Sequence, residues 1–532
     1  KRRDSISIVS DLWRFRLRHS ICQQSRQKHT YYIRKFHCDS RIDKVTNNKS
    51  HKPSHTALFL ILLIGILYHT TLIKFFEVEE IQESKEMVYE AEIVNQEIVP
   101  EIESIVDSLP EVDIEIAIET ALERDKTPIL KTNLWRPDYD TCAVENLAKE
   151  KKFSGSNGAK QNLWRFFEKL NGLNSDSKLH VFHFGDSQIE GDRITGRIRS
   201  SWQKTWGGSG PGLIPAIQPV PALAVRQQHE GDIKRFTKFG RIDTTLEHTC
   251  YGGMATLSRI RNNGKITVNP HPMGFRKNQV WHQAEVLIGA APLGGSLTVS
   301  GEFTDSIAID IAPSSTGNHS SILVELAGKK EELIFSFEGH EIEITGIRLG
   351  SENGLAIHNI PMRSSSGTVF KSLNKKHFKK YLQNWDVGLV ILQFGGNTVP
   401  YVNDEAAAKS YGKRFRTQLK YLKTILPEST FLVIGPSDMG ITSDSTALTY
   451  PMLGAIRAEM KKVTILEEAL YWDVFEAMGG AGTMAVWAKS TPKLASSDLV
   501  HFTPKGAKMI GELLDQSLRA EYRSWEQAIA GE

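Results

Sequence analysis

Three short stretches of this 532-residue chain place side chains used in acyl transfer beside glycine turns. The first is Phe184-Gly185-Asp186-Ser187-Gln188, where glycine permits the tight turn that exposes a serine hydroxyl. The second is Phe394-Gly395-Gly396-Asn397, a glycine turn that presents a side-chain amide. The third is Asp498-Leu499-Val500-His501-Phe502-Thr503-Pro504, in which an aspartate precedes a histidine by three residues. Taken singly, each has an ordinary structural reading: a turn, a loop cap, and the N-terminal cap of a helix. Together they form a chemical set. A serine is a weak nucleophile until a base takes its proton, and the base needs a carboxylate to orient it. The oxyanion that follows needs donors placed in advance, which an asparagine amide and glycine N–H groups supply.

The elements around these stretches read as an α/β domain. Asn162–Leu170 has apolar residues at helical spacing, and Leu179–Phe184 is a short strand running into Gly185. Asp386–Phe394 is a nearly continuous apolar strand, followed by a helix over Asp404–Leu426 and a second apolar strand, Thr430–Ile434. A further helix runs from Lys505 to about Leu514. Continuous apolar strands alternating with helices indicate a parallel sheet covered on both faces, with its functional loops at the carboxyl ends of the strands. From about Val280 to Gly350 the pattern changes to short β-rich runs separated by Gly, Ser, Asn or charged turns. That stretch predicts a β-sandwich or jelly roll inserted into the α/β domain.

The amino-terminal third is different. The net charge of 65 − 62 = +3 hides a strong asymmetry. Residues 1–55 hold 14 Lys/Arg against 4 Asp/Glu, and residues 77–125 hold 17 Asp/Glu against 2 Lys/Arg. Between them Ala57–Ile73 (ALFLILLIGILYHTTLI) reaches roughly the lower limit of about 17 residues for a membrane-spanning helix, with a buried core helix or the apolar stretch of a signal peptide as the alternatives. No small-x-small cleavage site follows it, and no cysteine stands directly after it as a lipid attachment point. The positive-inside rule predicts a cytoplasmic basic arm and export of everything after Lys74. The acidic stretch reads as an extended stalk. The chain begins with Lys1 and its first methionine is Met87, which leaves the start of the translated chain open.

The ordered set resembles the SGNH (GDSL-type) serine hydrolases. Their blocks are a serine in Gly-Asp-Ser, a loop glycine, a Gly-x-Asn turn and a late Asp-x-x-His. Ser187, Gly395-Gly396-Asn397 and Asp498/His501 match, and Gly367 in Arg363-Ser364-Ser365-Ser366-Gly367-Thr368 stands where the loop glycine belongs. Thr398 follows Asn397 where many members have Asp. The stretches His183–Thr195, Gly207–Leu213, Ala477–Trp487 and Asp498–Ala507 look most like bacterial peptidoglycan O-acetylesterases. Members of that type carry a carbohydrate-module-like β-domain inside the catalytic fold. The resemblance implies a three-layer fold with catalytic Ser187, Asp498 and His501. The Ser187 and Gly367 N–H groups and the Asn397 amide would form the oxyanion hole. No metal or cofactor is implied.

The expected organisation is a basic cytoplasmic arm (1–55), a transmembrane anchor (56–74) and an acidic stalk (75–150). A first catalytic part (151–225), an inserted β-sandwich (226–360) and a second catalytic part (361–532) follow. The expected function is a serine esterase on the inner membrane, acting in the periplasm on an acetylated cell-envelope polysaccharide, with no nucleic acid as partner. A sugar O-acetyltransferase of the same fold and a non-catalytic glycan-binding protein are the alternatives. Trp206, Trp472 and Trp487 are candidate sugar platforms against an ordinary reading as core. Gly207–Gly212 reads as a flexible active-site rim, lacking the lysine of a phosphate loop. Cys142 and Cys250 would both face an oxidising compartment, where they could pair. The four cysteines show no metal-ligand spacing.

Overall fold

The computed structural model describes residues 153–443 and 446–531. The run Ala57–Ile73, the charged segments beside it and Cys142 lie outside the described residues. Among the described residues, no helix is long and apolar enough to cross a membrane.

In chain order the first elements are α1 (Asn157–Asn171), β1 (Lys178–Gly185), α2 (Thr195–Trp206), β2 (Gly212–Ile214), β3 (Val225–Thr237) and β4 (Thr256–Pro270). Six more strands follow: β5 (Gln283–Ile288), β6 (Gly295–Gly301), β7 (Ile307–Ile311), β8 (Ser320–Glu325), β9 (Leu333–Gly339) and β10 (Ile342–Gly350). Then come β11 (Gly354–Pro361), α3 (Lys375–Leu382), β12 (Val387–Gln393), α4 (Glu405–Ile425) and β13 (Thr430–Ile434). The hairpin β14 (Gly440–Ser443) and β15 (Thr446–Thr449) precedes α5 (Leu453–Leu466), β16 (Leu470–Trp472), α6 (Val474–Met478), α7 (Thr483–Lys489) and α8 (Pro504–Ala530).

Five of the described strands form a parallel sheet in the order β11-β1-β12-β13-β16. Its strands are apolar throughout because both faces are covered. On β12, Leu389 and Ile391 enter the core shared with α1, α2 and α8, while Val390 and Leu392 enter the core shared with α3, α4 and α5. Each such buried aliphatic side chain contributes roughly 1.5–3 kcal/mol relative to exposure. From β1 the chain goes to β11 on one side, then crosses to β12 on the other. This reversal creates a crevice at the carboxyl ends of the strands. Gly185 pairs with both Pro361 and Gln393, so β11, β1 and β12 end level with one another. The loops carrying Gly367, Ser187 and Asn397 therefore leave the sheet side by side.

The remaining large sheet lies in sequence between β1 and β11. Its order is β7-β6-β9-β4-β10-β5-β8, with β2 on β10 and β3 on β4, and its pairings are antiparallel. The long strand β4 pairs with β10 over 258–260 and with β9 over 263–268, joining two halves of the sheet. Leu297, Val299, Phe335 and Phe337 from one half share an apolar core with Ala284, Val286, Ile288 and Ile344 from the other.

Several boundaries differ from the sequence reading. Gly354–Pro361, placed by sequence at the end of the insertion, is the edge strand of the parallel sheet, and β2 already pairs into the antiparallel one. Two polar residues, His358 and Asn359, disguise β11, yet both are hydrogen-bonded. Helix α8 continues past Leu514 to Ala530. Its buried face carries Asp515 and Ser517, which bond Trp202 and Trp472 and so interrupt the apolar pattern.

Gly207–Gly212 is not an active-site rim. A Cβ at Gly208 would collide with the Leu355 backbone, and one at Gly210 with the backbone of Leu349 and Gly350. These glycines permit close backbone packing at the amino end of β11, the opposite end from the crevice. Trp472 and Trp487 are core residues at 1% and 2% exposure. Trp206 packs edge-on against Trp202 and Tyr522, with the Arg519 guanidinium over its ring. Cys250 is buried.

Candidate active site

Strand β1 delivers Gly185 and Asp186, and the turn then opens into a 3-10 segment, Ser187–Asp192. The Asp186 carboxylate accepts the Gln188 N–H at 3.0 Å and caps that segment. Ser187 is left half-exposed above the sheet. Burial pushes the Asp186 carboxyl up to about 6, against the opposing pull of the Gln188 N–H and the nearby His501.

The histidine loop is held by its own aspartate. Asp498 Oδ1 accepts the N–H groups of Val500 at 2.9 Å and His501 at 3.0 Å, while Oδ2 meets His501 Nδ1 at 2.7 Å. Leu499 between them takes the left-handed conformation (φ 59°), which closes the turn. Thr503 then caps α8 by accepting the Gly506 N–H, with Pro504 in the first turn. Burial raises the Asp498 carboxyl, but the His501 hydrogen bond, its charge and the two backbone N–H groups outweigh it. The group stays below the usual carboxylate value.

These two loops meet. Ser187 Oγ lies 2.9 Å from His501 Nε2. An ionised carboxylate can only accept, so Nδ1 carries the imidazole proton toward Asp498. Nε2 then presents its lone pair to the Ser187 hydroxyl. The arrangement can serve as nucleophile, base and orienting carboxylate in one hydrogen-bonded chain.

Gly367 and Asn397 stand on the flanking loops, and Ser365 ties them together. Its carbonyl accepts the Asn397 Nδ2–H at 3.2 Å, and its hydroxyl accepts the Gly367 N–H at 3.1 Å. Asn397 thus has one amide hydrogen anchored, which orients the other. The left-handed Gly367 (φ 76°) packs so that a Cβ would collide with the Phe394 ring. Tyr411 on α4 supports this loop by donating to the Ser366 carbonyl at 2.8 Å.

Sequence reasoning missed Ser365, and it missed the ion pair between Arg363 and Glu190. Arg363 Nε and Nη2 reach the two Glu190 oxygens at 3.1 and 2.6 Å, joining the glycine loop to the segment behind Ser187. The two residues are far apart in sequence, so no local pattern announces the pair. Among the described residues there is no group of three His, Cys, Asp or Glu side chains that could hold a metal ion.

The architecture is similar to that of a solved peptidoglycan O-acetylesterase, at a TM-score of 0.55 and 20% identity, over 70% of this chain and 98% of that one. The chain shares the fold of that esterase. Two further solved structures overlap less. A GDSL-like lipase from Parabacteroides merdae gives a TM-score of 0.24 at 16% identity, over 31% of this chain and 73% of that one. A family two carbohydrate esterase from Cellvibrio japonicus gives 0.23 at 7% identity, over 57% and 99%. No family model and no curated protein matches the sequence. Within this fold, Ser187, Asn397 and His501 occupy loops at the carboxyl end of the sheet or beside it, where the strand order reverses.

Proposed function

We propose that this protein is a serine esterase that removes O-acetyl groups from a cell-envelope polysaccharide, peptidoglycan first among them. The observation that carries the reading is the Ser187–His501–Asp498 chain, at 2.9 and 2.7 Å, in the strand-end crevice. Similarity of fold to a peptidoglycan O-acetylesterase supports the choice of substrate.

The reaction follows from the donors and acceptors present. Ser187 Oγ attacks the acetyl carbonyl carbon while His501 Nε2 takes its proton, and Asp498 stabilises the imidazolium. The carbonyl oxygen becomes an oxyanion, for which the Ser187 and Gly367 N–H groups and the Asn397 amide are donors. The Gly367 N–H exchanges the Ser365 hydroxyl for that oxyanion. On collapse, the bond to the sugar oxygen breaks and His501 returns its proton to that oxygen. Water, deprotonated by His501, then attacks the acyl-serine, releasing acetate and restoring Ser187.

Ala57–Ile73 would anchor the protein in the inner membrane, with the catalytic domain in the periplasm. Reporter fusions after Lys74 test this: alkaline phosphatase should be active there and a cytoplasmic reporter inactive. The catalytic reading is tested by acetate release from O-acetylated peptidoglycan, which Ser187→Ala and His501→Ala should each abolish. Acyl release only when a sugar acceptor is added would indicate a transferase instead.

A further inference from the structure

The residue after the nucleophile holds the histidine loop. Gln188 Nε2 donates to the Val500 carbonyl at 2.6 Å, and Gln188 Oε1 accepts the Phe502 N–H at 3.4 Å. One side-chain amide therefore grips the peptide groups on both sides of His501. Arg193, five residues further on, closes the same junction from beside it. Its Nη1 donates to the Phe502 carbonyl at 3.0 Å and its Nη2 to the Ser187 carbonyl at 3.4 Å. Its Nε donates to the Glu190 carbonyl at 2.9 Å, and the Glu190 carboxylate is the one bound by Arg363.

We propose that Gln188 is a positioning residue that sets the distance between Ser187 and His501. The inference rests on the serine-esterase reading above. The need for such a device is visible in the loop itself. The Asp498 side chain is 41% exposed, and its described hydrogen bonds are all within residues 498–501. It orients the imidazole but does not tie the loop to the nucleophile. Gln188 and Arg193 make that tie from the segment that carries Ser187, so base and nucleophile move as one body. A displacement of about 1 Å between reacting groups typically costs on the order of 100-fold in rate.

Gln188→Met keeps the length of the side chain and loses both hydrogen bonds. Gln188→Glu keeps the acceptor for Phe502, loses the donor for Val500 and adds a negative charge near His501. The charges already around that imidazole are the Asp498 and Asp186 carboxylates and the Arg193 guanidinium. With the full chain and an aryl acetate, Gln188→Met should lower kcat roughly 10- to 100-fold and leave KM within about twofold. Gln188→Glu should also move the acid limb of kcat/KM to higher pH, because a nearby negative charge favours the imidazolium. Rates are scaled to the folded fraction, and labelling of Ser187 by a fluorophosphonate should slow in parallel. An unchanged kcat in folded Gln188→Met, or an unmoved acid limb in Gln188→Glu, overturns the positioning role alone. A parent protein that neither hydrolyses the ester nor takes the label overturns the serine reading itself, and this inference with it.

Discussion

At the scale of single residues, Asn397 and Asp186 do different work within one crevice. Asn397 touches no part of the Ser187–His501–Asp498 chain in the hydrogen bonds described, and its amide is held by the Ser365 carbonyl. In the proposed reaction its contribution falls in the transition state, where the oxyanion forms. Asn397→Ala should therefore lower kcat on an acetyl ester by about 100- to 1,000-fold with little change in KM. A loss seen mainly in KM would assign Asn397 to substrate binding instead. Asp186 is a stability question. Its folded-state value is raised to about 6 from 3.8, so the protonated form suits the native site and ionisation opposes folding. Its contribution is present below about pH 4 and lost as the pH rises through about 6. Asp186→Asn keeps the acceptor for the Gln188 N–H and removes the charge. It should raise stability at pH 8, by up to about 3 kcal/mol, and give no gain at pH 4. Equal melting-temperature shifts at the two pH values would contradict this.

At the scale of elements, the histidine loop depends on how α8 begins. Gly506 lies in its first turn, and a Cβ there would run into the Leu494 carbonyl oxygen. The Thr503 N–H donates to that same carbonyl, and Ala495 pairs with Phe502 across the loop. Gly506→Ala should push the two segments apart, lowering the melting temperature and, in the protein that remains folded, kcat. An alanine variant with unchanged melting temperature and kcat would show that the loop adapts. The same elements show why some of the molecule was legible in sequence. Ser187, Asn397, Asp498 and His501 sit in local glycine turns or within three residues of one another, so their pattern survives in one dimension. The strands β1, β12 and β13 were legible for a similar reason, since burial on both faces makes them continuously apolar. Strand β11 was not, because His358 and Asn359 are satisfied only by residues distant in sequence. The Gly208 and Gly210 contacts were equally hidden, since glycine reads as flexibility until the opposing backbone is known.

At the scale of the whole molecule, a buried histidine relay joins the two large sheets. His358 Nδ1 on β11 accepts the Leu213 N–H of β2 at 3.0 Å, so its proton is on Nε2, which meets His180 Nδ1 on β1 at 2.9 Å. Trp385 stacks on His180, and burial holds both imidazoles well below their usual value. His183, between Gln393 and Thr195, is lowered to about 3, again chiefly by burial. All three stay neutral in the folded protein, while the unfolded chain takes up protons below about pH 6.5. Their contribution is thus full above that pH and is lost as the pH falls toward the folded values. Unfolding free energy from denaturant titrations should decline from pH 7 to pH 5. A flat profile over that range would mean that the relay is hydrated or already charged.

In the proposed function the Ser187–His501–Asp498 chain cleaves acetyl esters on a polysaccharide. The most direct test is acetate release by the full chain from O-acetylated peptidoglycan, with acetylated xylan and an aryl acetate in parallel and Ser187→Ala as control. Release that prefers peptidoglycan and vanishes in Ser187→Ala is the predicted result. Release from none of these substrates by a folded parent protein would contradict the account.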